Sequence, residues 1–158
     1  MAEQKTNVMR TLEQKKIPYT AHSYPHGDEA VDGVTAAALI GKKPEEVYKT
    51  LVTKGAGGGI YVFVIPAASE LDLKKAAKAV REKSVAMIPV RDINALTGYV
   101  RGGCSPVGMK KSYPTVFHAA VLDLETVTVS AGKIGYQVEV RPEALIALTR
   151  ASTADLTV

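Results

Sequence analysis

Two short segments hold the residues best suited to chemistry. Val47-Tyr48-Lys49-Thr50-Leu51-Val52-Thr53 sets a lysine inside an otherwise strand-like, largely apolar run. Further along, Thr97-Gly98-Tyr99-Val100-Arg101-Gly102-Gly103-Cys104-Ser105-Pro106-Val107-Gly108 forms a glycine-rich loop whose backbone can approach a substrate closely. A fixed cation together with main-chain N–H groups suits a substrate that develops negative charge on oxygen.

Each segment also has a plainer reading. With a period of two, Lys49 shares a strand face with Val47 and Leu51. A lysine there can lay its stem over apolar neighbours and keep its ammonium in water. Yet Tyr48, Thr50 and Val52 on the opposite face are also core-like. A strand buried on both sides makes an unpaired ammonium costly and points to a partner such as a phosphate or carbonyl. Position alone leaves both readings open. The glycine loop is either a tight turn or a backbone cradle for an oxyanion or carbonyl. It is not a nucleotide P-loop. Gly103 and Gly108 have the right separation, but Met109 stands where that motif needs lysine.

The remaining reactive residues are weaker candidates. Cys104 has no histidine near it in sequence and reads as a small buried thiol. His22, His26, Asp28, Glu29 and Asp32 match no zinc spacing, and no metal or cofactor is expected. Tyr24 ends a strand just before an acidic loop, where a ring packs or stacks on a base or sugar. His118 reads as structural, and the Lys74-Lys75-Lys78 stripe as a solvated helix face. No nucleophile-elbow pattern is present.

Elements to position these residues follow from periodicity and punctuation. A first helix capped by Thr6 or Asn7 carries Val8, Met9 and Leu12 and ends before Pro18. Strands are expected at Tyr19–Tyr24, Val47–Thr53, Ile60–Ile65, Ser84–Ile88, Thr115–His118, Thr126–Ser130 and Tyr136–Val140. Short helices are expected from Thr35 as a cap through Ile40, from Asp72 through Val80, over Arg91–Leu96 stopped by Gly98, and from Pro142 through Leu148. The last eight residues are expected to fray. Without strict βαβ alternation, this order predicts an α+β fold with a mixed, mostly antiparallel, barrel-like sheet and helices around it.

Composition sets bounds. The chain has 158 residues, 46% hydrophobic and 23% charged, which suits a single domain over 1–158. A net charge of +4 permits an anionic partner such as RNA without establishing one. One cysteine excludes an internal disulfide framework and favours a reducing compartment. No signal-peptide core or membrane-length apolar run occurs, so a cytoplasmic protein without a membrane or DNA partner is expected.

Five blocks, taken in order, resemble the YbaK/EbsC family and the INS editing domain of bacterial prolyl-tRNA synthetases. They are Val47 to Leu51, Glu70-Leu71-Asp72-Leu73-Lys74-Lys75-Ala76-Ala77, Thr97-Gly98-Tyr99, Gly102 to Lys111, and Val129-Ser130-Ala131-Gly132-Lys133. Leu71-Asp72-Leu73 and Gly102-Gly103-Cys104-Ser105-Pro106 resemble the EbsC-like branch most. The resemblance implies cleavage of the ester joining an amino acid to the tRNA 3′ end, with Cys-tRNA(Pro) as the foremost substrate and prolyl-tRNA synthetase as a possible docking partner. It places the family's indispensable lysine on Lys49. It places substrate-binding positions on Tyr24, Gly102, Gly103, Ser105, Pro106 and Ser130. Where the YbaK branch has an aspartate two places after a glycine, this chain has Gly135-Tyr136-Gln137. A carboxylate is thus replaced at a substrate-binding position by a neutral amide that still hydrogen-bonds. The alternative reading is a non-catalytic tRNA- or protein-binding regulatory module on the same fold.

Overall fold

The computed structural model describes residues 5–25 and 31–158. His26, Asp28 and Glu29, named above, lie outside them. The elements run α1 (Asn7–Gln14), β1 (Tyr19–Ser23), α2 (Gly33–Leu39), β2 (Tyr48–Gly55), β3 (Ile60–Pro66), α3 (Leu73–Ala79), β4 (Val85–Met87), α4 (Ile93–Thr97), β5 (Thr115–His118), β6 (Val127–Lys133), β7 (Tyr136–Val140), α5 (Pro142–Thr149) and β8 (Ser152–Ala154).

The strands form two sheets. One is antiparallel, ordered β1-β7-β6, and the other is mixed, ordered β4-β2-β3-β5-β8, with β5 parallel to both its neighbours. A parallel bridge between Val47 and Thr128 joins them along β2 and β6. The expected α+β architecture with a mixed sheet is what the chain adopts, as two sheets meeting along a seam.

Strand β3 shows why the larger sheet sits in the interior. Val62 and Val64 pack with Tyr48, Phe117 and the valines of β6 and β7 in the main core. Phe63 and Ile65 point the other way, into a second core with Ala76, Ala77, Val116 and Leu156. Both faces are therefore apolar, and the run reads as continuous rather than alternating. Helix α1 closes the main core with Val8, Met9 and Leu12.

Local signals account for most element ends. Thr6 Oγ1 accepts from the Met9 N–H, and Asp72 accepts from the N–H groups of Lys74 and Lys75. Gly98 stops α4 with φ +85°, a conformation that glycine adopts without strain. Three expectations need correcting. Helix α2 is capped by Asp32, not Thr35, because the Asp32 carboxylate reaches the Thr35 N–H at 2.7 Å. Leu73 is largely exposed, so α3 buries Ala76 and Ala77 instead of a full apolar stripe.

The third concerns the C-terminal segment, which is pinned instead of frayed. Its β8 pairs with β5, and Leu156 is fully buried. The Leu156 N–H donates to His118 Nδ1, its carbonyl accepts from the Asp72 N–H, and the Val158 N–H donates to the Glu70 carbonyl. Lys75 is part of this clasp: its Nζ lies 2.9 Å from Asp155 and 2.7 Å from the Thr157 carbonyl. His118 is structural, as its sequence setting predicts.

Candidate active site

Strand β2 carries Lys49 between two apolar patches. Val47 belongs to a small cluster with Ala37 and Ala67, and Leu51 packs against the second core. Directly across the ladder from Lys49 stands Ile65, which is fully buried. Between the patches opens a cleft of about 1040 Å³. The Val47–Thr128 bridge carries Lys49 and Ser130, each two residues further on, to its wall. Gln137 pairs directly with Ser130 across β6 and β7, and His22 pairs with Gln137 from β1. Lys49, Ser130 and Gln137 thus converge from three strands, and Tyr24 and Gly102 complete the lining.

The electrostatics of Lys49 are those of a cation held ready for an anion. Burial pulls its pKa below the ordinary lysine value, and the Glu70 carboxylate opposes that shift. Its ammonium forms no ion pair with a described residue. The solvated reading of Lys49 therefore gives way: the side chain is half-buried and faces a cleft. Glu70 and Arg101, both exposed, add one charge of each sign to the cleft lining. Both lie inside segments singled out above. Their roles were not legible because a charged residue beside a turn normally signifies only solvation.

The glycine loop divides into a lining part and a buttress. Gly102, with φ +82°, reaches the cleft. Gly103 does not, and its N–H already donates to the Val100 carbonyl at 3.0 Å. A Cβ at Gly103 would sit 3.0 Å from Ile134 N and 3.1 Å from Lys133 C, so only glycine lets the loop rest on the β6–β7 turn. Ser105 is fully buried and its Oγ accepts from the Val107 N–H. Pro106 is buried beside it. Gly103, Ser105 and Pro106 thus hold the loop from behind and do not line the cleft. Tyr99 buttresses the same loop by donating to the Val107 carbonyl, with its own pKa pushed up to about 12, chiefly by burial.

Nucleophilic chemistry by the protein finds no support here. Burial pushes the Cys104 thiol up to about 11, so it is a poor thiolate source. Ser130 Oγ accepts from the Gly132 N–H and has no histidine base. The oxygens that stand out are orphaned ones. Among the described residues, two buried side-chain oxygens lack a hydrogen-bond partner, Thr50 Oγ1 and Gln137 Oε1, and both residues line the cleft.

Two residues beyond Gln137 on the same face of β7, Glu139 is fully engaged. It accepts from His22 Nε2 at 2.8 Å, Lys42 Nζ at 2.9 Å and Thr126 Oγ1. Burial alone raises a carboxyl's pKa, but these three donors hold Glu139 down at about 2. Asp32 is likewise spoken for as a helix cap, its acidity increased by the Thr35 N–H.

Known proteins share this arrangement. The family model for the aminoacyl-tRNA editing domain matches residues 28–148, and the chain belongs to that family. It is 44% identical over 155 residues, 98% of its length and 94% of the relative's, to an Enterococcus faecalis (strain ATCC 700802 / V583) protein described as a Cys-tRNA(Pro)/Cys-tRNA(Cys) deacylase, EbsC. A solved structure described as a trans-editing enzyme for prolyl-tRNA synthetase superposes with a TM-score of 0.82 at 27% identity, over 96% of this chain and 94% of that one. A second, of a protein described only as hypothetical, gives 0.85 at 24% identity over 96% and 99% of the two chains, and shows the fold alone. Among the described residues, no helix is long and apolar enough to cross a membrane.

Proposed function

We propose that this chain is a trans-acting deacylase that clears mischarged tRNA, with Cys-tRNA(Pro) its foremost substrate. The observation that carries this reading is the unpaired, half-buried Lys49 ammonium facing a cleft large enough for an aminoacylated adenosine. The name of the Enterococcus relative supports the substrate, and the solved trans-editing structure supports prolyl-tRNA synthetase as the docking partner that adds tRNA selectivity.

In this mechanism Lys49 holds the 3′-terminal phosphate or the ester oxygen, and Arg101 at the mouth meets the preceding backbone. The main chain at Gly102 orients the ester carbonyl and receives the developing oxyanion; a well-placed donor there contributes about 3–4 kcal/mol. The Ser130 hydroxyl, which accepts from Gly132, keeps its own proton for a bond into the cleft. Tyr24 packs along the bound nucleoside. The attacking group comes from the substrate or from water, since Cys104 and Ser130 are unsuited to the task. Held at about 3–3.5 Å, the cysteinyl thiol displaces the ribose oxygen, closing a thiolactone and returning the proton to the 3′ hydroxyl.

The test is a deacylation panel: Cys-, Ala- and Pro-charged tRNA(Pro) and Cys-tRNA(Cys), each with and without prolyl-tRNA synthetase. Loss of cysteine from tRNA(Pro), with thiolactone trapped ahead of free cysteine, supports the reading. Tight binding with no turnover on any substrate would favour the regulatory module.

A further inference from the structure

Gln137 is 8% exposed, and its Oε1 has no hydrogen-bond partner. A buried acceptor left unmade is destabilising by about 1–3 kcal/mol. The donors around it are committed elsewhere. His22, directly across the ladder, gives its Nε2 to Glu139, and Lys42 does the same with its Nζ. The unmet atom lies in the cleft wall beside Ser130, on the side to which the strand seam brings Lys49. An empty acceptor in a ligand cleft is a half-made contact.

The chemistry of its missing partner is constrained from both sides. A carbonyl oxygen accepts only, so an anion is excluded. A substrate ammonium is disfavoured, because Lys49 already places one cation in the same poorly solvated cleft and a neutral amide supplies no compensating charge. What remains is an uncharged donor. We infer that Gln137 is a specificity-determining residue whose Oε1 accepts a hydrogen bond from a neutral hydroxyl or thiol of the aminoacyl-adenosine, either the ribose 2′-hydroxyl or the amino acid's side chain. This inference rests on the functional reading above and assigns the cleft one more recognition contact. It also accounts for an amide at this position: a carboxylate here would pair with Lys49 and withdraw the cation from its anionic ligand. A site built around such a contact rejects analogues lacking the donor far more strongly than it rejects a missing methylene.

The test uses binding, so that the contact is separated from the chemistry. The probe is a minihelix ending in 3′-(cysteinylamino)-3′-deoxyadenosine, whose amide link does not turn over. Three analogues lack, in turn, the 2′-hydroxyl, the thiol (alanine for cysteine) or the α-amino group. Each is titrated against wild type, Gln137→Leu and Gln137→Met, with thermal melts showing that both variants fold. Both variants are expected to bind the parent probe about tenfold more weakly. That penalty is expected to vanish on the dideoxy probe if the ribose is the donor, or on the alanyl probe if the side chain is. A penalty that survives on both, or vanishes only without the α-amino group, overturns the inference, as does wild-type affinity in both variants. Failure of wild type to bind any probe instead overturns the functional reading itself.

Discussion

Gln137 and Glu139 sit two residues apart on one face of β7, and their surroundings could hardly differ more. Glu139 has three donors and a pKa near 2, while Gln137 has an oxygen with none. A few ångströms of strand separate a closed polar network from an open one. Closed networks stabilise and fix geometry, whereas open ones weaken the fold and are tolerable only where a ligand completes them. Lys49 belongs to the open side, and His22 and Lys42 to the closed side. The functional cleft is recognisable less by which polar residues line it than by which of them lack partners.

The largest effect that would sharpen this contrast is at Lys49. Lys49→Met is expected to lower kcat/KM for deacylation by about a thousandfold or more, since it removes the cation on which the mechanism depends. Stability should move the other way. A buried amine with a lowered pKa opposes folding while protonated, so wild-type stability rises with pH as the medium passes from that lowered pKa to the ordinary lysine range. The variant lacks this penalty and is expected to melt no lower than wild type at pH 7. Circular dichroism melts beside single-turnover assays check both halves, and a variant that retained full activity would break the comparison.

Next comes Gly103→Ala, which acts on the wall behind the open side. The new methyl meets the backbone of Lys133 and Ile134 and must push the loop or the β6–β7 turn aside. A loss of about 1–3 kcal/mol in urea unfolding is expected, as for other overpacked sites, with roughly tenfold weaker deacylation. Unchanged activity would mean that the spacing between the loop and β6 does not matter to the cleft.

On the closed side, Glu139→Gln is expected to cost about 2 kcal/mol at pH 7 while leaving activity per folded molecule within about threefold. A carboxyl with a lowered folded pKa contributes stability above its unfolded pKa and loses it as pH falls. The difference between wild type and variant should therefore shrink from about pH 4.5 down to about 2. A difference that persisted unchanged at the acid end would show that packing, not charge, holds this network. The smallest effect is reserved for the thiol. Cys104→Ala should leave deacylation within about twofold, because a buried thiol with a pKa near 11 takes no part in the reaction.

How much of this was readable in advance differs by region. Helix starts at Thr6 and Asp72 and the stop at Gly98 were legible, because cap and turn chemistry is local. The clasp of the C-terminal segment was not. Its partners, His118, Asp72 and Glu70, lie far upstream, and a short polar stretch carries no periodicity of its own. In the cleft, Lys49 stood out as a charge in an apolar run, and the glycine loop as a cluster of permissive backbone. The division of that loop into Gly102 facing the cleft and Gly103, Ser105 and Pro106 behind it depends on contacts with the β6–β7 turn, which spacing does not encode. The orphaned state of Gln137 was likewise invisible, because it depends on the engagement of His22 and Lys42 elsewhere.

Taken alone, the order of residues determined which groups could do the chemistry, where most elements begin and end, and that apolar strands would be buried. Those features arise from interactions within a few positions, or from simple hydrophobic patterning. The three-dimensional packing decided which polar atoms found partners and which were left facing the cleft. Desolvation and hydrogen-bond completion are set by neighbours far apart along the chain, and only their assembled positions separate a strut from a binding group.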